Sequence, residues 1–312
     1  MSHKFVTLTY HRVRPQRDPL YPDMCFVDSF DSQLRVLSRF FNVLPLPEAL
    51  ERSEQGSLPA RSVCITFDDG YRDNVDIALP MLRQFALPAT FFIATGYLND
   101  GMMWNDQVIE AVRGRRAGRW DLSGINLGER HVDDLASRRA LMHEIIVHLK
   151  HQSPDVRATW AQQLVDESSV SGERIMMTDA EIRTLHAAGM TIGGHTVTHP
   201  ILTRLSQAQG GAEMTDGKRA LEDMIQSDVS VFAFPNGKAG ADYAKEHTAL
   251  VEQSGFRAGL TTMWGYADNA SPRFELPRVG LESESGWRFG AKLFKSFYEA
   301  QDATTILSSQ TA

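Results

Sequence analysis

Ser62-Val63-Cys64-Ile65-Thr66-Phe67-Asp68-Asp69-Gly70 is the stretch on which the reading of this chain turns. Ser62 to Phe67 form an uncharged, mostly apolar and β-branched run, the pattern of a strand buried on both faces. Two carboxylates and a glycine follow at once. Alone, Asp-Asp-Gly is an ordinary turn signal. Behind a buried strand it stands at the strand's carboxyl end, where α/β barrels gather their chemistry. Successive strand residues point to opposite faces, so the two carboxylates need a bend to converge, and Gly70 is expected to supply it.

Working outward, strand-like runs recur at Phe5–Thr9, Ala89–Ala94, Thr191–Gly193, Ser230–Phe234 and Ala258–Thr262. Helical patterns fill the intervals at Asp31–Phe40, Asn74–Gln84, Asp179–Ala188, Leu205–Ser227 and Tyr243–Ser254. Thr178 with Glu181 reads as a capping box at the start of one of them. Alternating strands and helices imply parallel pairing, hence an α/β barrel or a doubly wound sheet. The pattern alone does not choose between the two.

The segment from about 104 to 175 is charged and helix-rich (Leu135–Lys150, Pro154–Ser168) and reads as a helical insertion near a barrel mouth. It shapes the substrate cleft or merely stabilises the domain. Residues 1–290 then form the main domain, and 291–312 a C-terminal helix and frayed tail.

Composition narrows the function classes. The chain has 312 residues, 42% hydrophobic and 23% charged, with a formal charge of −7. These values fit a soluble globular protein and speak against a nucleic-acid or anionic-membrane partner. The basic cluster Arg113 to Arg119 reads as a solvated helix end. Cys25 and Cys64 are the only cysteines, so no disulfide framework or CxxC metal site is expected. The start, Met1-Ser2-His3-Lys4, shows no signal-peptide pattern, and no apolar run reaches membrane-spanning length. The expected location is cytoplasmic.

His195-Thr196-Val197-Thr198-His199-Pro200 sets two imidazoles four residues apart, after Gly193-Gly194. The glycines are expected to let the backbone turn out of its strand. Two histidines and one carboxylate of the Asp pair make a facial metal site with open positions for water and substrate. The spare carboxylate can accept a proton from the attacking water. The chemistry this points to is metal-assisted hydrolysis by one divalent ion, zinc being expected from two imidazoles and one carboxylate.

These motifs resemble the polysaccharide deacetylases with a NodB-type domain, the fourth carbohydrate esterase family, which share T-F-D-D-G and H-[ST]-x-x-H-P in this order. Phe232-Ala233-Phe234-Pro235-Asn236-Gly237 extends the likeness, which covers Lys4 to about Gly280. The resemblance implies a distorted (β/α) barrel with fewer than eight regular strands. It implies Asp68 as general base, Asp69 with His195 and His199 as metal ligands, and the backbone N–H of Asn236 as oxyanion donor. Pro235 and Phe234 belong to the same substrate-side motif, and Gly237 is expected to let substrate approach closely. An N-acetylated carbohydrate is the implied substrate.

The chain departs from the family twice. It has no histidine after His247, so the L-x-H histidine that protonates the leaving group is missing. Tyr10-His11 resembles an N-terminal Tyr-His pair in some poly-N-acetylglucosamine deacetylases, which implies His11 as general acid. Ala233 stands where the family has an arginine that pairs with the base, and Arg278 in Leu276-Pro277-Arg278 is the expected substitute. Among nearby aromatics only Trp104 is a candidate for stacking on sugar. The rival readings are a hydrolase of a small amide or cyclic imide, and a non-catalytic carbohydrate-binding relative.

Overall fold

A computed structural model describes residues 4–99, 101–169 and 172–298. These fall into two compact units, one of residues 4–16, 23–99 and 176–298, the other of 17–22, 101–169 and 172–175.

The first unit opens with β1 (Phe5–Tyr10), β2 (Val13–Arg14), β3 (Cys25–Phe26), α1 (Val27–Phe40), β4 (Asn42–Val43), α2 (Leu46–Glu54) and β5 (Ser62–Phe67). A π-helical turn at Asn74–Ala78 leads into α3 (Leu79–Gln84), followed by β6 (Thr90–Ile93). The second unit holds α4 (Trp104–Gly114), β7 (Gly118–Leu122), β8 (Gly128–Val132), α5 (Leu135–Lys150) and α6 (Pro154–Asp166). The first unit resumes with α7 (Asp179–Ala187), β9 (Thr191–Gly194), α8 (Gln207–Ile225), β10 (Val231–Ala233), α9 (Lys245–Gln253), β11 (Ala258–Leu260), β12 (Val279–Gly280) and α10 (Gly286–Ser296).

Seven strands run in the order β11-β10-β9-β6-β5-β1-β12, with β4 beside the start of β5, and every pairing in this sheet is parallel. The two faces alternate along each strand. Val6, Leu8 and Tyr10, with Val63, Ile65 and Phe67, join Phe30, Leu34 and Leu37 of α1 in the outer core. Phe5, Cys64, Phe92, Val231, Ala258 and Leu260 form the inner one.

One segment ties the two sheet edges together. Leu276 bridges Leu260 of β11, and three residues later Val279 pairs with Leu8 of β1. The fold is a distorted (β/α) barrel with fewer than eight regular strands in its wall.

Thr178 and Glu181 form the expected reciprocal cap of α7. The tail beyond residue 298 falls outside the described residues. The second unit adds strands to the expected helical insertion, because β7 and β8 make an antiparallel hairpin pairing Trp120 with Arg130. Its signal was present: Trp120 and Leu122 are buried while Arg119 and Asp121 are exposed, a period of two hidden by the high charge. Arg113 is no bare helix end, since it binds Asp18 at 2.6 Å and Glu110 at 3.1 Å. Trp104 packs against this unit's apolar core and under the Arg157 guanidinium, 5.1 Å from the ring, so packing accounts for it. Among the described residues, no helix is long and apolar enough to cross a membrane.

Candidate active site

The carboxyl end of β5 carries Asp68 and Asp69, and the chain separates them sharply. Asp68 continues the ladder, its N–H donating to the Tyr10 carbonyl at 2.8 Å. Asp69 itself turns, with a φ of 78°. The expected bend at Gly70 therefore begins one residue earlier, on a side chain that disfavours it. Such a conformation costs about 1–3 kcal/mol and persists where surrounding structure imposes it, often at functional sites.

Arg278 meets Asp68 as a two-pronged pair, Nη1 to Oδ1 and Nη2 to Oδ2, both 2.7 Å. Its Nε donates to the Thr261 carbonyl at 2.9 Å, and the side chain is fully buried. Burial alone would raise the Asp68 carboxyl pKa, but Arg278 first and His195 second outweigh it and hold the group below its ordinary range. A buried, ionised carboxylate results. Arg278 reaches it from the barrel-closing segment, which is why the cation expected from Ala233's position can be supplied from far along the chain.

Asp69, His195 and His199 converge, with one ligand atom from each lying within 4.8 Å of the others. The His195 ring makes a 2.7 Å hydrogen bond from Nδ1 to the Ala233 carbonyl, which only a protonated Nδ1 can donate. In the neutral ring Nε2 is then a lone pair aimed at Asp69 Oδ1, 3.4 Å away, and His199 Nε2 lies 3.5 Å from the same oxygen. Asp69 Oδ1 is buried without a hydrogen-bond partner. Burial lowers the His199 pKa to about 4 despite the pull of Asp69, so this ring is neutral. The His195 lone pair repels the buried carboxylate oxygen it faces unless a cation sits between them, and with His199 beside them this donor set fits a divalent ion.

The histidines lie on a loop after β9. Its shape is set by Glu213 of α8, whose carboxylate accepts from the N–H groups of Val197 and Thr198, each at 2.8 Å. Gly193 and Gly194 do not turn the chain, because both are paired strand residues. They are glycine because a Cβ would lie 2.4 Å from the Phe92 ring at one and 2.7 Å from the Phe256 ring at the other.

His11 follows Tyr10 directly and so stands beside Asp68 across the β1–β5 ladder. Its Nδ1 lies 3.0 Å from Glu282 Oε1. Burial opposes charging the ring, but Glu282 prevails and pushes its pKa up to about 10, with smaller pulls from Asp69 and Asp68. The strand after Arg278 thus delivers a second partner, Glu282, that sequence reasoning missed. Gln33 of α1, fully buried, steadies that turn by donating to the carbonyls of Leu281 at 3.2 Å, Glu282 at 3.3 Å and Glu284 at 2.5 Å, and accepts from the Tyr10 hydroxyl.

The remaining candidates divide. Asn236 is half-buried with a φ of 58°, and its carbonyl accepts from the Thr262 hydroxyl at 2.9 Å. Phe234 is fully buried and stacks on Tyr243 at 4.1 Å, and Pro235 is buried beside it, so both shape the loop from within. Gly237 has a φ of 72°, and a Cβ there would lie 2.8 Å from the Thr262 nitrogen. Its freedom serves the turn and this neighbour, which is a nearer reason than substrate approach.

Comparison with known proteins follows the same lines. A family profile described as polysaccharide deacetylase matches residues 55–124 and 155–259, more than half of the 312-residue chain. YxkH of Bacillus subtilis, named as a polysaccharide deacetylase, is 22% identical over 291 residues, which cover 92% of this chain and 75% of that protein. The poly-β-1,6-N-acetyl-D-glucosamine N-deacetylase of Staphylococcus epidermidis is 30% identical over 150 residues, 42% of this chain. This match spans about half (48%) of the relative's length. In fold, the Streptococcus pyogenes deacetylase PplD, solved with acetate, superposes with a TM-score of 0.64 at 19% identity, covering 94% of this chain and 98% of its own. The chain belongs to the polysaccharide deacetylase family and is a hydrolytic deacetylase.

Proposed function

We propose that the protein is a zinc-dependent N-deacetylase that removes acetyl groups from an N-acetylated sugar of a glycan or its precursor. The observation that carries this reading is the ionised Asp68, clamped by Arg278 and directly preceding a three-ligand divalent site. A binding module has no need of a carboxylate kept charged in a buried position beside its ligand set. The match to a poly-β-1,6-N-acetyl-D-glucosamine N-deacetylase supports an amide of an amino sugar as substrate.

A divalent ion held by Asp69, His195 and His199 would acidify a coordinated water and polarise the acetamide carbonyl. Asp68 accepts the proton of the attacking water, and Arg278 keeps it ionised until then. The Asn236 backbone N–H donates to the oxygen that becomes negative. A charged His11 keeps its Nδ1–H on Glu282 and passes the Nε2 proton to the departing nitrogen, so that amine and acetate leave.

Acetate release from β-1,6-linked N-acetylglucosamine oligomers tests this directly. Protein stripped by a chelator should be inactive and should regain activity with zinc. Hydrolysis of small amides or cyclic imides alone, or binding of oligomers without turnover, would select one of the rival readings instead. His195→Ala and His199→Ala should each lose zinc on elemental analysis, whereas full occupancy in the double variant would remove these residues from the site.

The acid makes a pH prediction. His11 is held charged above the ordinary imidazole value of 6.5, toward about 10. Because its folded pKa is raised, the stabilising contribution of the His11–Glu282 pair is fully present below 6.5 and lost as pH rises through about 10. The alkaline limb of kcat/KM should therefore lie above 6.5 in the wild-type protein, and Glu282→Gln should move it to lower pH. A limb at the same pH in both proteins would dissociate Glu282 from the acid.

A further inference from the structure

Between α1 and α10 the first unit carries a groove of about 300 Å³, lined by Val36, Phe40 and Phe41 on one side and Trp287, Ala291 and Phe294 on the other. Its rim is unusually bare. Trp287 is 78% exposed, Tyr298 72%, Phe294 49% and Phe40 48%, and these are the exposed large apolar side chains of this unit among the described residues. On α10, Trp287 and Phe294 share a helical face, Tyr298 in the turn after the helix lies against Phe294, and Phe289 and Leu293 turn into the core. Contiguous aromatic surface of this kind marks an interaction site.

The charged residue lining the groove is Arg61, and the helix beside it carries only basic charges, of which Lys292 pairs with Glu284. Gly286–Ser296 contains Arg288, Lys292 and Lys295 and no acidic residue. Arg39 lies over Phe40, Arg288 over Trp287, and Arg61 lines the groove. Among the described residues none of Arg39, Arg61 and Arg288 forms an ion pair. This basic rim belongs to a chain of net charge −7, so the positive charge is concentrated here against the overall balance.

That sign restricts the partner. A two-fold contact with a second copy would set each arginine cluster against itself. A deacetylated glycan is cationic and is repelled as well. An anionic surface that also admits tryptophan and tyrosine rings at its polar–apolar boundary satisfies both features. We propose that this face docks the protein peripherally on a lipid bilayer bearing anionic headgroups. Arg61 precedes β5 and so lies at the amino ends of the strands, whereas Asp68 follows β5 at their carboxyl ends. Docking through the groove therefore leaves the candidate active site open to substrate.

Co-sedimentation of the full-length protein with vesicles tests this, using phosphatidylcholine alone and phosphatidylcholine mixed with phosphatidylglycerol. The mixed vesicles should retain at least about tenfold more protein, and high salt should release it. Trp287→Ala should weaken retention, and Arg61→Glu with Arg288→Glu should abolish it. The melting temperature and acetate release from a soluble oligomer should stay unchanged. Equal partition onto both vesicles, retention unaltered by these substitutions, or no retention would overturn the proposal. So would concentration-dependent dimerisation that Trp287→Ala abolishes, since a second copy would then be the occupant.

Discussion

Asp68→Asn should lower turnover by roughly two to four orders of magnitude, the usual scale for a group that moves a proton in the transition state. Zinc content should persist, because Asp69 and the two histidines are untouched. The substitution is not silent for the fold. Asparagine can accept only one of the two Arg278 bonds, and its amide nitrogen then meets a second donor. The guanidinium is left buried and half-compensated, so stability should fall measurably as well. Turnover must therefore be compared well below the melting transition of the variant. Acetate release at near-normal rate by a folded, zinc-loaded Asp68→Asn protein would end the role of Asp68 as base.

Arg278→Met should cost about 3–5 kcal/mol, the scale for stripping one partner from a buried ion pair. For a protein of this size each kcal/mol shifts the melting temperature by about 2–4 °C, so the drop should be roughly 10 °C. The pH dependence follows from sign. Asp68 is held below its ordinary range, so the pair stabilises above that range and the contribution fades as pH falls through the folded value. Without Arg278, burial dominates, the carboxyl rises, and the acid limb of kcat/KM should move to higher pH. Combining Asp68→Asn with Arg278→Met should destabilise by less than the two single changes added together, by roughly 1–3 kcal/mol. The double variant should still lack activity. Strict additivity in stability would show that the two groups do not act as a pair.

The parallel α/β sheet was legible because parallel strands buried on both faces read as uninterrupted apolar runs, whereas its barrel form came from the family resemblance. Phe5–Tyr10 and Ser62–Phe67 are paired residue for residue, as two such runs should be. Asp68, Asp69, His195 and His199 were legible because each lies in a contiguous motif at a strand end. Arg278 came from a different logic: a missing cation had to be replaced from somewhere.

Glu282 had no such signal. It lies 271 positions from His11 in sequence, in the acidic stretch Leu281-Glu282-Ser283-Glu284, where nothing distinguishes one carboxylate from the other. Glu213 and Gln33 are likewise polar residues on amphipathic helices whose partners only the fold supplies. The errors at Gly193 and Gly194 share a cause. A glycine in sequence suggests backbone freedom, but here the neighbours Phe92 and Phe256 simply leave no room for a Cβ. At Asp69 the reverse holds, because a residue with a side chain adopts the conformation expected of glycine.

The segment that joins the two barrel edges has a temporal consequence during synthesis. Ribosomes deliver the chain from its amino end, and domains fold as the chain emerges. A nascent chain that has emerged through β11 already contains Asp69, His195 and His199 but lacks Arg278, which stands 210 positions after Asp68. Such a chain has the proposed ligand set before Asp68 has its counter-charge and before His11 has Glu282. On the roles proposed for these residues, capacity to hold metal thus precedes capacity to hydrolyse, and the segment around β12, with Arg278 before it and Glu282 after it, supplies the second.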